Sequence, residues 1–138
     1  MSKVQIKGGT LLAPLPTLMV TVGDMENSNI ITIGWAGTIC SQPPRMYVSI
    51  RKERYSYDML MQSKDFVANL TSVDTLAACD YCGIRSGRDI DKFAEMNLTK
   101  LPAQYVKAPI SACKGTIFYR DKYACTRKVS QNIKKIQI

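Results

Sequence analysis

The stretch that most constrains the fold is Ile30 to Tyr57, IITIGWAGTICSQPPRMYVSIRKERYSY. Ile30, Thr32 and Gly34 alternate with Ile31, Ile33 and Trp35 in a run rich in β-branched residues, which favours a strand over a helix. Ser41-Gln42-Pro43-Pro44 breaks the run, because proline lacks the N–H that a ladder needs and restricts the residue before it. Met46 to Ile50 reads as a second strand. Upstream, Leu18 to Val22 is a strand, and the polar segment Gly23 to Asn29 makes a longer hairpin loop to Ile30–Trp35.

The residues after Met46–Ile50 carry chemistry. Arg51, Lys52 and Arg54 are mixed with Ser49, Tyr55 and Ser56. Guanidinium, ammonium and hydroxyl groups all donate to phosphate oxygens, so a strand end that delivers them together suits a phosphate. The competing reading is a solvated basic turn. Tyr57 to Ser63 reads as a short helix with Ser56 at its N-cap. Asp65 to Leu70 is a strand. Ser72 can cap a further helix over Thr75 to Tyr81, which Gly83 ends. Asp89 or Asp91 can cap a helical turn over Asp91 to Met96, with Phe93 in the core. Asn97 to Val106 reads as irregular.

The order GWAGTICSQPP, VSIRKERYSY and DYCGIRSGRDIDKF resembles the flavin reductase-like, FMN-binding split-barrel family, close to its flavoredoxin-type members. The resemblance runs from about Gly9 to Pro109. It implies a mainly β fold with helices, an FMN-binding split β-barrel. This suits the chain better than a dinucleotide-binding α/β fold, whose crossover rhythm and glycine fingerprint are missing. By resemblance, Trp35, Ala36, Gly37, Thr38, Cys40 and Ser41 line the isoalloxazine ring. Ser49, Arg51, Lys52 and Ser56 match the family's phosphate cluster, and Lys92 is a candidate contact to the phosphate or the ring. Small residues at Ala36, Gly37 and Thr38 would let backbone groups reach the ring edge. The implied cofactor is FMN, with NADH or NADPH as electron donor and a free flavin, a metal complex or a protein as acceptor. The family also implies a homodimer. No carboxylate pair suggests acid–base catalysis, and redox chemistry that resides in a flavin needs none.

Composition bounds the remaining readings. A chain of 138 residues that is 46% hydrophobic and 22% charged is ordinary globular material, read as one domain over residues 1–138. No apolar run is long enough for a membrane helix, and Met1 to Val4 lacks a signal peptide's apolar core, so a cytoplasmic protein is expected. The formal net charge of +8 is unevenly spread. From Lys114 onward seven Lys/Arg stand against one Asp, while the preceding 113 residues hold 12 basic and 10 acidic side chains. The segment 110–138 is thus atypical for the family. It is expected to be truncated or altered, leaving the barrel incomplete at the C terminus. A basic tail could attract nucleic acid, but its only aromatic candidates are Tyr119 and Tyr123, so that partner is not favoured. The five cysteines, with no histidine in the chain, read as reduced thiols. Cys79-Asp80-Tyr81-Cys82 has C-x-x-C spacing, but a structural zinc site would need four ligands, so no metal is expected. Two further functions stay open: a flavin-binding module without turnover, and a small basic nucleic-acid-binding barrel.

Overall fold

The computed structural model describes Gly8, residues 14–112 and the backbone of the strand Ile117–Tyr119. Strand β1 (Leu18–Gly23) pairs antiparallel with β2 (Ser28–Ile33), Leu18 opposite Ile33 and Gly23 opposite Ser28. Asp24 closes the connecting turn, its Oδ1 accepting from the Glu26 and Asn27 N–H groups. These bonds, that from Asn27 foremost, hold its carboxyl below the ordinary value. Gly23 makes the turn possible: its φ is +94°, and a Cβ there would collide with the Asn27 carbonyl.

On the other side of β1 lies β5 (Val67–Leu70), also antiparallel, and β8 (Ile117–Tyr119) adds to β5. The order is therefore β2-β1-β5-β8. A separate ribbon joins β3 (Ala36–Ser41) to β4 (Pro44–Val48), and a third small pair joins β6 (Lys100–Leu101) to β7 (Ile110–Ser111). Among the described residues three helices accompany the strands: α1 (Tyr55–Ser63), α2 (Leu76–Ile84), entered through a 3-10 turn at Val73–Thr75, and α3 (Lys92–Glu95).

The strand alternation divides the core in two. Leu18, Val20, Val22, Ile31 and Ile33 pack with α1 and with Ala36 and Val48 of the ribbon. Met19 and Ile30 face the other way, against Ala78, Cys79 and Cys82 of α2 and Phe93 of α3. The central strand β1 is consequently buried along nearly its whole length, as a sheet covered on both faces requires.

Several expectations are corrected. The first strand of the long stretch ends at Ile33 with a bend at Gly34-Trp35, ahead of the expected break at Ser41–Pro44, which is present as a turn through Gln42 and Pro43. Ala36–Ser41 is a strand of its own. Its partner begins at Pro44, where proline is tolerated because it opens the strand, after a cis Gln42–Pro43 bond. A bulge between Thr38 and Cys40 shifts the register and leaves Ile39 about half exposed. Ser28 and Asn29 belong to β2, not to the turn. Gly83 does not stop α2 but lies inside it. A Cβ at that position would meet Thr32 at 3.2 Å, and Thr32 Oγ1 donates to the Cys79 carbonyl, so the glycine permits close packing of α2 on β2. The expected irregular segment 97–106 contains β6. The chain also stays integrated past Pro109: the Ser111 N–H donates to Asn69 Oδ1 at 3.1 Å and that of Ala112 to the Thr99 carbonyl at 2.8 Å. The basic residues beyond Tyr119 lie outside the described residues, as do Cys113 and Cys125.

Candidate functional site

The basic residues sit on a turn between β4 and α1. The Arg54 N–H closes it onto the Arg51 carbonyl at 3.1 Å, and Tyr57 N–H then donates to the Arg54 carbonyl at 2.9 Å to start the helix. Arg51, Lys52, Glu53 and Arg54 are all exposed. Among the described residues, no side chain pairs with Arg51 or Lys52. Ser49, also exposed, donates its N–H to the Trp35 carbonyl at 2.8 Å. That bond brings the bend holding Trp35, whose side chain is 49% exposed, to the entrance of the basic turn.

The ring-lining candidates divide. Thr38 and Ser41 are exposed on the ribbon, and Cys40 is half-buried with its thiol donating to the Pro43 carbonyl at 3.0 Å. Ala36 faces the core. Gly37 lies beneath its cross-strand neighbour Tyr47, whose ring a Cβ would meet at 2.9 Å. The small side chains at 36 and 37 are therefore explained by packing inside the protein, and any ligand contact there would come from their backbone.

Two candidates are placed differently from the expectation. Ser56 is not the N-cap of α1. Arg54 occupies that position with extended backbone and no side-chain cap, while Ser56 lies fully buried in the first turn and accepts from Asn29 Nδ2 at 2.8 Å. The helix starts at Tyr55, earlier than expected, and an inter-element bond, not a cap, engages the Ser56 hydroxyl. Lys92 is 3% exposed, and its ammonium donates to the Ile30 carbonyl at 2.9 Å and the Cys82 carbonyl at 2.8 Å. Burial pushes its pKa below the ordinary 10.5. The nearby Cys82 thiol works against that shift, and the Arg54 charge adds to it. Lys92 thus ties β2 to the last turn of α2 and is not an exposed contact. Asp91 caps α3 by accepting from the Phe93 and Ala94 N–H groups, and Phe93 is in the core, both as expected.

The structure adds residues that the sequence did not single out. Asn29, at the start of β2, reads locally as a turn residue, and nothing nearby signals its bond to a helix 27 positions later. Arg88, within the Ser-Gly-Arg-Asp block, donates from Nη1 to the Glu53 carbonyl at 3.3 Å, 35 positions away, and lies over the Tyr55 ring at 5.8 Å. A cleft of about 500 Å³ between Asp24–Glu26 and Pro102–Lys107 contains none of the candidate residues.

Among the described residues no helix is long and apolar enough to cross a membrane. The flavin reductase like domain family matches residues 11–118, further than the expected limit at Pro109. A curated relative, an uncharacterised protein from Archaeoglobus fulgidus, is 26% identical over 107 residues, covering 77% of this chain and 60% of its own length. Among solved structures, the flavoredoxin of Desulfovibrio vulgaris (Miyazaki F) superposes with a TM-score of 0.74 at 37% identity, over 80% of this chain and 61% of that one. An FMN-binding protein from Thermus thermophilus gives a TM-score of 0.67 at 22% identity, over 81% of this chain and 63% of that one. The chain spans about three fifths of the length of these relatives. Its fold is their split-barrel fold, mixed β with few helices, and among the described residues the sheets do not close into a barrel. By the family match over residues 11–118, the chain belongs to the flavin reductase like family.

Proposed function

We propose that the chain binds FMN and passes electrons from NADH or NADPH through it to a flavin, metal complex or protein acceptor. The observation that carries this reading is the bond from the Ser49 N–H to the Trp35 carbonyl, which sets an exposed aromatic bend against an exposed cationic turn. FMN pairs a flat ring with a phosphate and so needs these two environments side by side. The donor set fits the group. Arg51 and Lys52 supply charge, and Ser49 supplies a hydroxyl, for the phosphate. Trp35, Thr38, Cys40 and Ser41, with the backbone of Ala36 and Gly37, border the ring. Ser56 and Lys92 offer no free polar atom to the ligand, since theirs are already engaged inside the protein. When bound, FMN supplies a ring that accepts a hydride and releases electrons singly or in pairs. The protein's part is to hold and orient it. The compact turn suits one phosphate, which favours FMN over FAD.

The relatives' names support a flavin-linked oxidoreductase: one is a flavoredoxin and another an FMN-binding protein. The exposed Ile39 on the short ribbon and Trp35 in the bend before it support a homodimer in which a second copy covers them. The buried thiols Cys79 and Cys82 suit a single cytoplasmic domain.

The test is anaerobic mixing of flavin-loaded protein with NADH or NADPH while following the flavin absorbance. Bleaching faster than for free FMN is expected. Flavin binding with no bleaching by either donor would favour a binding module without turnover. No flavin binding at all would remove the reading.

A further inference from the structure

The Ser86–Arg88 loop takes no part in the contacts proposed above, yet it is fastened to the basic turn. Gly87 presses on Asn29 so closely that a Cβ would lie 2.6 Å from Asn29 Cγ, and Asn29 in turn holds Ser56 inside α1. The loop thereby packs against the residue that bonds the first turn of α1. The Arg88 N–H is tied back to Ser86 Oγ at 3.2 Å. From this base its guanidinium spans to the Glu53 carbonyl and lies over Tyr55.

Charge alone does not explain this placement. The turn already carries Arg51, Lys52 and Arg54, and a fourth cation adds to their mutual repulsion. What Arg88 holds is a backbone carbonyl in the middle of the turn, between Lys52 and Arg54. A planar guanidinium stacked on a ring and bonded to one carbonyl restricts the turn's shape in a way that a flexible ammonium does not. Repulsion among the cations would be relieved by an anion bound at the turn.

We propose that Arg88 is a positioning residue for the anion seat: through the Glu53 carbonyl it holds the Arg51–Arg54 turn in the shape that presents Arg51 and Lys52 to the flavin phosphate. This rests on the FMN reading above.

The experiment compares wild type, Arg88→Ala, Arg88→Lys and Arg51→Ala. FMN and riboflavin, which lacks the phosphate, are titrated into each flavin-free protein, and exchange of the Arg54 amide hydrogen is followed without flavin. Arg88→Ala should weaken FMN about fivefold and leave riboflavin nearly unchanged, the size expected for one exposed charged contact. The Arg54 amide, which closes the turn, should exchange faster by a similar factor. Arg88→Lys keeps the charge but loses the planar fork, and should behave as Arg88→Ala does. Wild-type FMN affinity in Arg88→Lys would overturn the proposal in favour of plain charge. Weakened FMN with unchanged Arg54 exchange would overturn it in favour of direct phosphate contact. Equal weakening of both flavins would reduce Arg88 to a general structural role. If Arg51→Ala shifts the ratio of FMN to riboflavin affinity and Arg88→Ala does not, this inference fails alone. If neither shifts the ratio, the phosphate reading fails with it.

Discussion

Gly87→Ala is the sharpest test of how the site is supported. Gly87 has no left-handed backbone, so alanine could adopt its conformation, and the whole cost must come from contact. A methyl group there would lie 2.6 Å from Asn29 Cγ and 2.9 Å from Nδ2, with Oδ1 closer still. Asn29 cannot swing away cheaply, because it is 4% exposed and its amide donates to the fully buried Ser56. Either the loop lifts or that bond breaks. Overpacking of this kind costs about 1–3 kcal/mol, and an orphaned buried amide a similar amount. Either way about 1–3 kcal/mol is expected, or a fall in melting temperature of about 4–12 °C for a chain of this size. Urea unfolding measures it directly. Gly34→Ala is the control: nothing lies within 4 Å of its would-be Cβ, and a change within about 0.5 kcal/mol is expected. In an Asn29→Ala background the obstacle is gone, and Gly87→Ala should cost little more than the control. Full cost in that background, or no cost in the wild type, would refute the contact as the cause.

Two further predictions concern residues whose placement departed from their local pattern. Ser56→Ala should cost about 1–3 kcal/mol in urea unfolding because it strands the Asn29 amide, and should change FMN and riboflavin affinity equally; a selective loss of FMN would return Ser56 to the phosphate. Lys92 holds its proton less tightly when folded than when unfolded. Between its folded pKa and 10.5 the unfolded chain binds more protons, so the stability contributed by Lys92 rises with pH there and is lost as pH falls through the folded value. The difference in unfolding free energy between wild type and Lys92→Met should therefore climb toward pH 10.5; a difference that is flat with pH would contradict the burial.

Local rules carried much of the fold. Strands expected at β1, β2 and β5 are all present, Asp91, one of two expected caps, caps α3, and the Ser72–Thr75 capping box is present before α2. What local reading missed depends on partners far along the chain. Ser56 beside a helix start has the pattern of a cap, and only Asn29, 27 residues away, makes it a buried bond instead. Lys92 in a short helical turn reads as a cation that could reach a ligand, yet its ammonium is taken by a carbonyl 62 positions earlier. Gly83 reads as a helix stop because glycine often is one, and the reason it is not lies in Thr32 of β2. The basic turn itself was visible in Arg51, Lys52 and Arg54. Its proximity to Trp35 was not, because it rests on one backbone bond between residues 35 and 49.

In the proposed function the Arg51–Arg54 turn seats a flavin phosphate. The most direct measurement is a pair of calorimetric titrations, FMN and riboflavin, into flavin-free wild type and Arg51→Ala. Charge-assisted contacts are worth roughly 1.5–3 kcal/mol each. Wild type should therefore bind FMN at least about tenfold more tightly than riboflavin, and Arg51→Ala should lose most of that margin while its riboflavin affinity stays the same. Equal affinity for the two flavins in wild type, or an undiminished margin in Arg51→Ala, would contradict the account.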